Sequence, residues 1–122
     1  MENYFEWDIL KNVYLEDSFV ESININNDSF VFGMEFVLCE KHQFYHTPKE
    51  NEQYCYRAGK LVFNGLKQLK WDNIRLTQNA DSDCDNDYGN IDSLYKDKEI
   101  YHLEGDWGIL ELQCESVEII YL

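Results

Sequence analysis

The clearest strand pattern of the chain is Ser18-Phe-Val-Glu-Ser-Ile-Asn-Ile-Asn-Asn-Asp-Ser-Phe-Val-Phe-Gly-Met-Glu-Phe-Val-Leu-Cys39. Its first half, residues 18–26, alternates, with Phe19, Ile23 and Ile25 on one face and Ser22, Asn24 and Asn26 on the other. Its second half places five apolar side chains at every other position, Phe30, Phe32, Met34, Phe36 and Leu38. Asn26-Asn27-Asp28-Ser29 between them is typical of a turn, because Asn and Asp tolerate positive φ. The stretch predicts a β-hairpin with one apolar side.

The rest of the chain continues in short aromatic and β-branched runs that are separated by Asn, Asp and Gly. These runs predict strands over residues 52–58 and 60–66, paired around Ala58-Gly59, then 68–76, then 99–104 and 107–114 around Gly105-Asp106, and finally 117–122. A last hairpin is expected to place Leu110, Leu112 and Cys114 against Val117, Ile119 and Tyr121. The apolar side chains of residues 4–15 point all round, which leaves a short helix and an edge strand equally open.

These runs predict a single all-β domain over residues 1–122, an antiparallel sandwich or flattened barrel of about seven to nine short strands. With 122 residues, 44% of them hydrophobic and 16% aromatic, the chain can bury a core of its own and is not intrinsically disordered. No stretch approaches the roughly 18 consecutive apolar residues of a membrane-spanning helix.

The chain is strongly acidic and its charge is unevenly distributed: 24 Asp and Glu against 10 Lys and Arg give a net charge of −14. Residues 1–40 carry one Lys and nine acids, residues 41–80 carry seven basic and three acidic residues, and residues 81–122 carry two Lys and twelve acids. This balance repels phosphate backbones and excludes a general nucleic-acid binder. Two interpretations stay open: the basic middle neutralises its neighbours, or an acidic surface receives a cationic partner.

The beginning of the chain, Met1-Glu-Asn-Tyr-Phe-Glu-Trp-Asp8, lacks the basic and apolar regions of a signal peptide. We therefore expect a cytoplasmic protein, in which Cys39, Cys55, Cys84 and Cys114 are free thiols.

An Asp-rich segment, residues 81–92, has the spacing of a calcium loop. Counted from Asp81, acids stand at positions 1, 3, 5, 7 and 12, namely Asp81, Asp83, Asp85, Asp87 and Asp92. Position 12 is Asp instead of the longer Glu, and the flanking segments do not resemble paired helices. Calcium binding and a solvated acidic loop between strands are the two alternatives.

A second candidate metal set is Cys39-x2-His42-x3-His46-x8-Cys55, whose residue types suit zinc. The alternative is that the thiols lie in the core and the two histidines in a loop.

Signatures of common enzymes are missing, because the sequence contains no GxSxG elbow, P-loop or GxGxxG fingerprint. We expect a protein that is not an enzyme. A small-molecule-binding barrel, with Tyr54, Tyr56, Arg57 and Trp107 lining its pocket, is a further alternative.

Tyrosine and tryptophan combine a large apolar surface with one polar group, which suits binding surfaces. Most of them are expected to fill the core. The candidate binding residues are Tyr45, Tyr54, Tyr56, Arg57, Trp71, Tyr88, Asp106 and Trp107.

Several motifs along nearly the whole chain resemble a family of small acidic bacterial proteins. They are Leu15-Glu-Asp-Ser-Phe-Val20, Tyr45-x-x-Pro48, Tyr54-Cys-Tyr56 with Gly59, Tyr88-Gly-Asn-Ile-Asp-Ser93 and Leu103-Glu-Gly-Asp-Trp-Gly108. The resemblance implies no activity and no catalytic residues. Within the fourth motif, Gly89 is expected to turn the chain and Asp92 to bond back to backbone amides.

In size and acidity the chain is also similar to bacterial toxin-immunity proteins. The leading prediction is therefore an interaction protein of immunity type that binds a basic protein through acidic and aromatic surface.

Overall fold

The computed structural model describes residues 2–76, 79–80 and 86–122. Its strands are β1 (Glu2–Asn3), β2 (Val13–Asn26), β3 (Ser29–Leu38), β4 (Cys55–Asn64), β5 (Gln68–Asp72), β6 (Asn79–Ala80), β7 (Asn86–Asp87), β8 (Ile91–Asp97), β9 (Ile100–Gly105), β10 (Gly108–Gln113) and β11 (Ser116–Tyr121). Two 3-10 helices, Tyr4–Glu6 and Asp8–Leu10, lie between β1 and β2. Within these residues no helix is long and apolar enough to span a membrane.

Nine of the strands form two antiparallel sheets that pack face to face. The five-stranded sheet has the order β1-β8-β9-β10-β5, and the four-stranded sheet has the order β11-β4-β3-β2. Strands β6 and β7 pair with each other. The sheets do not close into a barrel, so the predicted all-β sandwich is confirmed.

The core lies between the two sheets and is built largely on the predicted hairpin of β2 and β3. All five alternating side chains of β3 are buried on the inner face, as the sequence predicts. Phe32 meets Trp107 of the other sheet at 5.2 Å between ring centroids, and Phe30 meets Trp71 at 5.6 Å. Each fully buried Phe contributes about 1.5–3 kcal/mol to stability relative to exposure, so this strand anchors the sandwich.

One side chain of the hairpin, Phe19, lies on the face opposite to the predicted one. Two irregularities interrupt β2, between Tyr14 and Phe19 and between Val20 and Ser22. They place Phe19 opposite Glu35, on the outer face, while Ile23 stays on the inner face opposite Phe32. An extra residue reverses the alternation of a strand, which a strict period of two does not anticipate.

The predicted hairpin around Ala58-Gly59 is also wrong, because β4 runs without interruption through Gly59. Glycine is needed there for close approach. A Cβ on Gly59 would lie inside van der Waals contact of the Ile120 carbonyl oxygen of β11 and 3.0 Å from Phe36 Cε2 of β3. The glycine therefore serves the packing of three strands and does not form a turn.

The last predicted hairpin is wrong as well. β10 pairs with β9 and β5, whereas β11 crosses to the other sheet and pairs with β4, placing Ile119 opposite Leu61. The crossing is held at Glu115, whose N–H donates to the carbonyls of Asn64 and Gly65. The earlier pair, β9 and β10, forms as predicted, with its turn at Asp106 and Trp107.

Three further segments refine the predictions. Residues 4–15 form the two 3-10 helices and then the start of β2, β5 ends at Asp72 before the predicted residue 76, and β8 was not predicted.

Gly89 has a φ of +90° and turns the chain, as the motif predicts. The carboxylate that accepts from the Gly89 N–H belongs to Asp87, at 2.8 Å, and not to Asp92.

Candidate functional site

The outer faces of the two sheets differ in chemistry. On the five-stranded sheet the register aligns a polar row, Tyr95, His102, Glu111 and Lys70. The rings of Tyr95 and His102 stack at 4.8 Å, and His102 Nδ1 lies 3.9 Å from Glu111 Oε1. Cross-strand polar pairs of this kind are typical of a sheet face that meets water.

The outer face of the four-stranded sheet is aromatic and apolar instead. One cross-strand row is Tyr14, Val37 and Tyr56, and the next is Phe19, Glu35 and Ala58. Ile120 of β11, at 42% exposure, and Leu122, the residue after the strand, at 69%, extend the face with two more apolar side chains. Because contiguous exposed apolar surface is unusual on a small protein, it indicates a site of interaction.

The aromatic rings of this face contact one another. Phe19 and Tyr56 stack at 6.0 Å, and Tyr54 meets Tyr56 edge to face at 6.2 Å. Val37 is buried in this row although it points away from the core. Tyr14, at 43% exposure, borders Val37 from β2. We call these residues, together with the carboxylates described next, the aromatic–acidic face.

Three carboxylates border the rings: Asp17, Glu35 and Glu52. The negative charge of Asp17 is the main cause that raises the pKa of Tyr54, followed by burial. For Tyr56, burial is the main cause of a raised pKa, followed by Tyr54, and Asp17, Glu35 and Glu52 add to it. The phenols are therefore neutral at physiological pH and lie in a negative potential, which attracts cationic groups.

The irregularity in β2 positions part of this face. Between Tyr14 and Phe19 the strand loses register with β3, which leaves the Val37 N–H without a ladder partner. Ser18 replaces that partner: its buried Oγ accepts from Val37 N–H at 2.8 Å and donates to the Tyr14 carbonyl at 2.7 Å. The resulting bend presents Asp17 and Phe19 beside Tyr54 and Tyr56.

Of the predicted binding residues, Tyr54 and Tyr56 belong to this face and several others do not. Tyr45, Trp71 and Tyr88 are partly buried and pack against the core. Trp107 is fully buried and is a core residue, its Nε1–H donating to the Asn90 carbonyl at 3.2 Å. As was expected for most of the aromatic residues, these rings fill space between the sheets.

Arg57 follows Tyr56 along β4 and therefore points to the opposite, inner side, in register with Phe36. There its Cζ lies 4.7 Å from the centre of the Phe44 ring. Because Tyr56 and Arg57 face opposite sides of the sheet and Trp107 is in the core, Tyr54, Tyr56, Arg57 and Trp107 do not line one pocket. That correction removes the arrangement on which the barrel alternative depends.

The zinc set is not assembled, because within residues 2–76, 79–80 and 86–122 no group of three or more His, Cys, Asp or Glu side chains is placed to hold an ion. Asp81, Asp83 and Asp85 lie outside the described residues. Asp92 lies on β8 with most of its side chain exposed. Partial burial, and then the negative charges of Asp106 and Glu104, raise the pKa of its carboxyl. Asp106 itself is exposed in the β9–β10 turn.

In the proposed zinc set, His42 Nε2 pairs with the Tyr121 hydroxyl at 2.8 Å, and the His46 N–H donates to the Cys55 sulfur at 3.4 Å. Cys39 is exposed, while Cys55 is buried. The alternative interpretation, with thiols in the core and histidines in a loop, holds for Cys55, His42 and His46. Cys39, Cys55 and Cys114 are free thiols.

Comparisons of the chain with models of protein families, with curated proteins and with solved structures found no match. The resemblance to a family of small acidic bacterial proteins therefore stays a prediction.

Sequence reasoning missed most of the aromatic–acidic face. Phe19 was assigned to the core face, and Tyr14, Asp17, Glu35 and Glu52 were not singled out. One signal was present: the motif Leu15-Glu-Asp-Ser-Phe-Val20 breaks a simple alternation, because Glu16, Asp17 and Ser18 follow one another. Three polar residues in a row within a strand indicate a bulge, which redirects the side chains that follow.

Proposed function

We propose that this protein is a non-enzymatic cytoplasmic interaction protein of immunity type, and that it binds a basic protein through the aromatic–acidic face. The observation that carries the proposal is the cluster of Phe19, Tyr54 and Tyr56, bordered by Asp17, Glu35 and Glu52, on an open sheet face. The outer face of the other sheet offers a polar row instead.

The two components of this face suit different parts of binding. Aromatic rings supply large contact area with few rotatable bonds, and such residues carry most of the energy of many interfaces. Carboxylates at the border attract cationic side chains and discriminate against acidic partners. A cation of the partner also gains from the faces of the tyrosine rings.

The net charge of −14 adds a long-range contribution. It raises the rate at which a basic partner arrives and makes that rate sensitive to salt. Such a charge favours fast association with a basic protein, which suits a partner whose activity has to be neutralised quickly.

The direct test is capture of a partner from the source organism at low and at high salt, with three forms of the chain. Wild type is compared with Tyr56→Ser, which removes a ring from the face, and with Tyr95→Ser, which removes a ring from the outer face of the other sheet. We expect one basic protein to be retained at low salt by wild type and Tyr95→Ser, and to be lost with Tyr56→Ser.

The recovered partner then allows affinity to be measured. Replacing a tyrosine at the energetic centre of an interface costs about 2 kcal/mol or more, so we expect the dissociation constant of Tyr56→Ser to rise about 30-fold. Asp17→Asn is expected to lower the association rate chiefly, with Asp97→Asn, exposed on β8, as its charge-matched control. Capture of no protein at either salt, or equal loss with both tyrosine variants, would contradict the proposal.

A further inference from the structure

Strand β11 forms one edge of the four-stranded sheet, and no strand of the described residues pairs with it on its other side. Its register with β4 is unbroken, without the irregularities that interrupt β2. Its sequence, Ser116-Val-Glu-Ile-Ile-Tyr121, contains one charged residue and no proline. A regular and apolar edge of this kind readily accepts a further strand.

The other edges of the two sheets are better protected. β1 has two residues, and β5 carries Lys70 and Asp72 within a strand of five. The free side of β2 is covered at Val20, whose N–H donates to the Gly89 carbonyl and whose carbonyl accepts from the Tyr88 N–H, both at 2.8 Å. Short strands, charges and covered edges prevent pairing between molecules, so β11 is the least protected of the four edges.

The alternation of hydrogen bonds fixes which backbone groups of β11 point to the free edge. Leu122, directly after the strand, lies opposite Ala58 in the continued register and donates its N–H to the Ala58 carbonyl at 3.0 Å. Because hydrogen-bonded pairs alternate in an antiparallel ladder, every second residue before Leu122 also bonds to β4. The outward-facing N–H and carbonyl groups are those of the residues between them, Val117, Ile119 and Tyr121.

The side chains of these three residues point inward and are only partly buried against the core. Next to Ile119 and Tyr121, a cleft of about 350 Å³ separates β11 from the segment that carries Ile9 and Asn12. The inward-facing side chains of a strand added to β11 therefore have space and an apolar wall to pack against.

We infer that β11 pairs antiparallel with β11 of a second copy of this chain, around a twofold axis through Ile119, and joins the two four-stranded sheets into one. In this register Ile119 lies opposite Ile119, and Val117 opposite Tyr121, of the second copy. All three outward-facing residues of each copy then exchange hydrogen bonds, and apolar side chains meet on the inner side. The twofold axis makes the contact self-complementary and closed.

The neighbouring registers that also bring outward-facing groups together are poorer. An axis through Glu118 places two carboxylates directly opposite each other, and an axis through Ile120 leaves Val117 without a partner. With the axis at Ile119, Glu118 lies opposite Ile120 of the second copy. That Ile120 is followed in the same cross-strand row by Lys60 of its own β4. Charges of opposite sign therefore flank the same apolar side chain across the contact.

This dimer uses the backbone edge of β11 and does not depend on the proposed function. Salt separates the two kinds of association. Two copies that each carry a net charge of −14 repel each other, so added salt strengthens the dimer. The same salt weakens attraction to a basic partner.

The experiment measures the mass of the purified wild-type chain by sedimentation equilibrium from micromolar to millimolar concentration, at low and at high sodium chloride. We expect a monomer–dimer equilibrium that shifts to the dimer with concentration and with salt. Hydrogen exchange is followed over the same range. The amides of Val117, Ile119 and Tyr121 are expected to gain protection as the dimer forms, whereas those of Glu118 and Ile120 are protected throughout by their bonds to β4.

Val117→Pro tests the backbone contact, because it removes an outward-facing N–H and leaves the bonds to β4 in place. Val117→Ala is the control, since it shortens the same side chain and keeps the N–H. We expect Val117→Pro to dimerise at least about tenfold more weakly than Val117→Ala, because the symmetric contact loses two hydrogen bonds.

Ile120→Glu and Ile120→Lys test the register, because both remove the same apolar side chain. The glutamate variant faces Glu118 of the second copy and is expected to dimerise more weakly than the lysine variant. Ile74→Glu and Ile74→Lys, at an exposed position after β5 of the other sheet, report the effect of net charge alone and are expected to differ less.

Three outcomes would overturn the inference. One is a chain that stays monomeric at millimolar concentration and high salt, and another is equal dimerisation of Val117→Pro and Val117→Ala. The third is protection of the three outward-facing amides only after a basic partner is added, which would assign the edge to that partner.

Discussion

Ser18 links stability to the shape of the candidate binding face. Its Oγ accepts from the buried Val37 N–H at 2.8 Å and donates to the Tyr14 carbonyl at 2.7 Å. Ser18→Ala leaves that N–H without a partner, so we expect the free energy of unfolding in urea to fall by about 1–3 kcal/mol. Ser116→Ala, at an exposed position of β11, is the control and is expected to change it by less than about 0.5 kcal/mol. Equal losses in the two variants would refute this role of Ser18.

His42 makes stability depend on pH. Burial first, and then the charge of Arg57, lower its pKa below the ordinary value of 6.5. The unfolded chain therefore takes up the proton more readily, and the contribution of neutral His42 is present above pH 6.5 and is lost as pH falls through the folded-state pKa.

The measurement compares urea unfolding of wild type and His42→Gln at about pH 7.5 and at about pH 5. Most carboxylates titrate below this window and affect both forms alike. We expect the stability advantage of wild type over His42→Gln to shrink at the lower pH. An advantage of the same size at both pH values would show that His42 titrates normally.

At the scale of elements, Gly59 decides whether β4 and β11 pair as they do. A Cβ there would collide with the Ile120 carbonyl oxygen and lie 3.0 Å from Phe36 Cε2. Gly59→Ala is therefore expected to lower the free energy of unfolding by about 1–3 kcal/mol and to speed hydrogen exchange of the β11 amides. The neighbouring exposed change Lys60→Ala is expected to do neither. Unchanged exchange in Gly59→Ala would mean that β11 tolerates the displacement.

Local sequence patterns predicted the strands but not all of their pairing partners. The hairpin of β2 and β3 was predictable because Phe30 to Leu38 alternate strictly and Asn27 adopts the positive φ, 53°, that a turn requires. Residues 117–122 were predicted as a strand, but their partner was not. A connection as short as Cys114–Glu115 allows either a hairpin or a crossing to the other sheet, and the choice is made by distant contacts such as Ile119 with Leu61.

For the whole molecule, the net charge of −14 has opposite consequences for folding and for binding. Repulsion among carboxylates disfavours the compact state, and salt screens it beyond a Debye length of about 10 Å at 0.1 M. We expect the midpoint of thermal unfolding to rise between 20 mM and about 300 mM sodium chloride. Over the same range the affinity for the proposed basic partner is expected to fall. An affinity that does not fall with added salt would contradict a charge-driven interface.

Fold class, the central hairpin and the acidity follow from the amino-acid sequence alone, because alternation, turn residues and charge are local properties of the chain. The sequence also singled out Tyr54 and Tyr56. The aromatic–acidic face and the contact of Arg57 with Phe44 arise only from the packed chain. A bulge held by Ser18 turns Phe19 outward, and the loop of residues 39–54 between β3 and β4 brings Phe44 onto Arg57. Both depend on contacts between residues far apart in the chain, whose geometry exists only when the two sheets have packed.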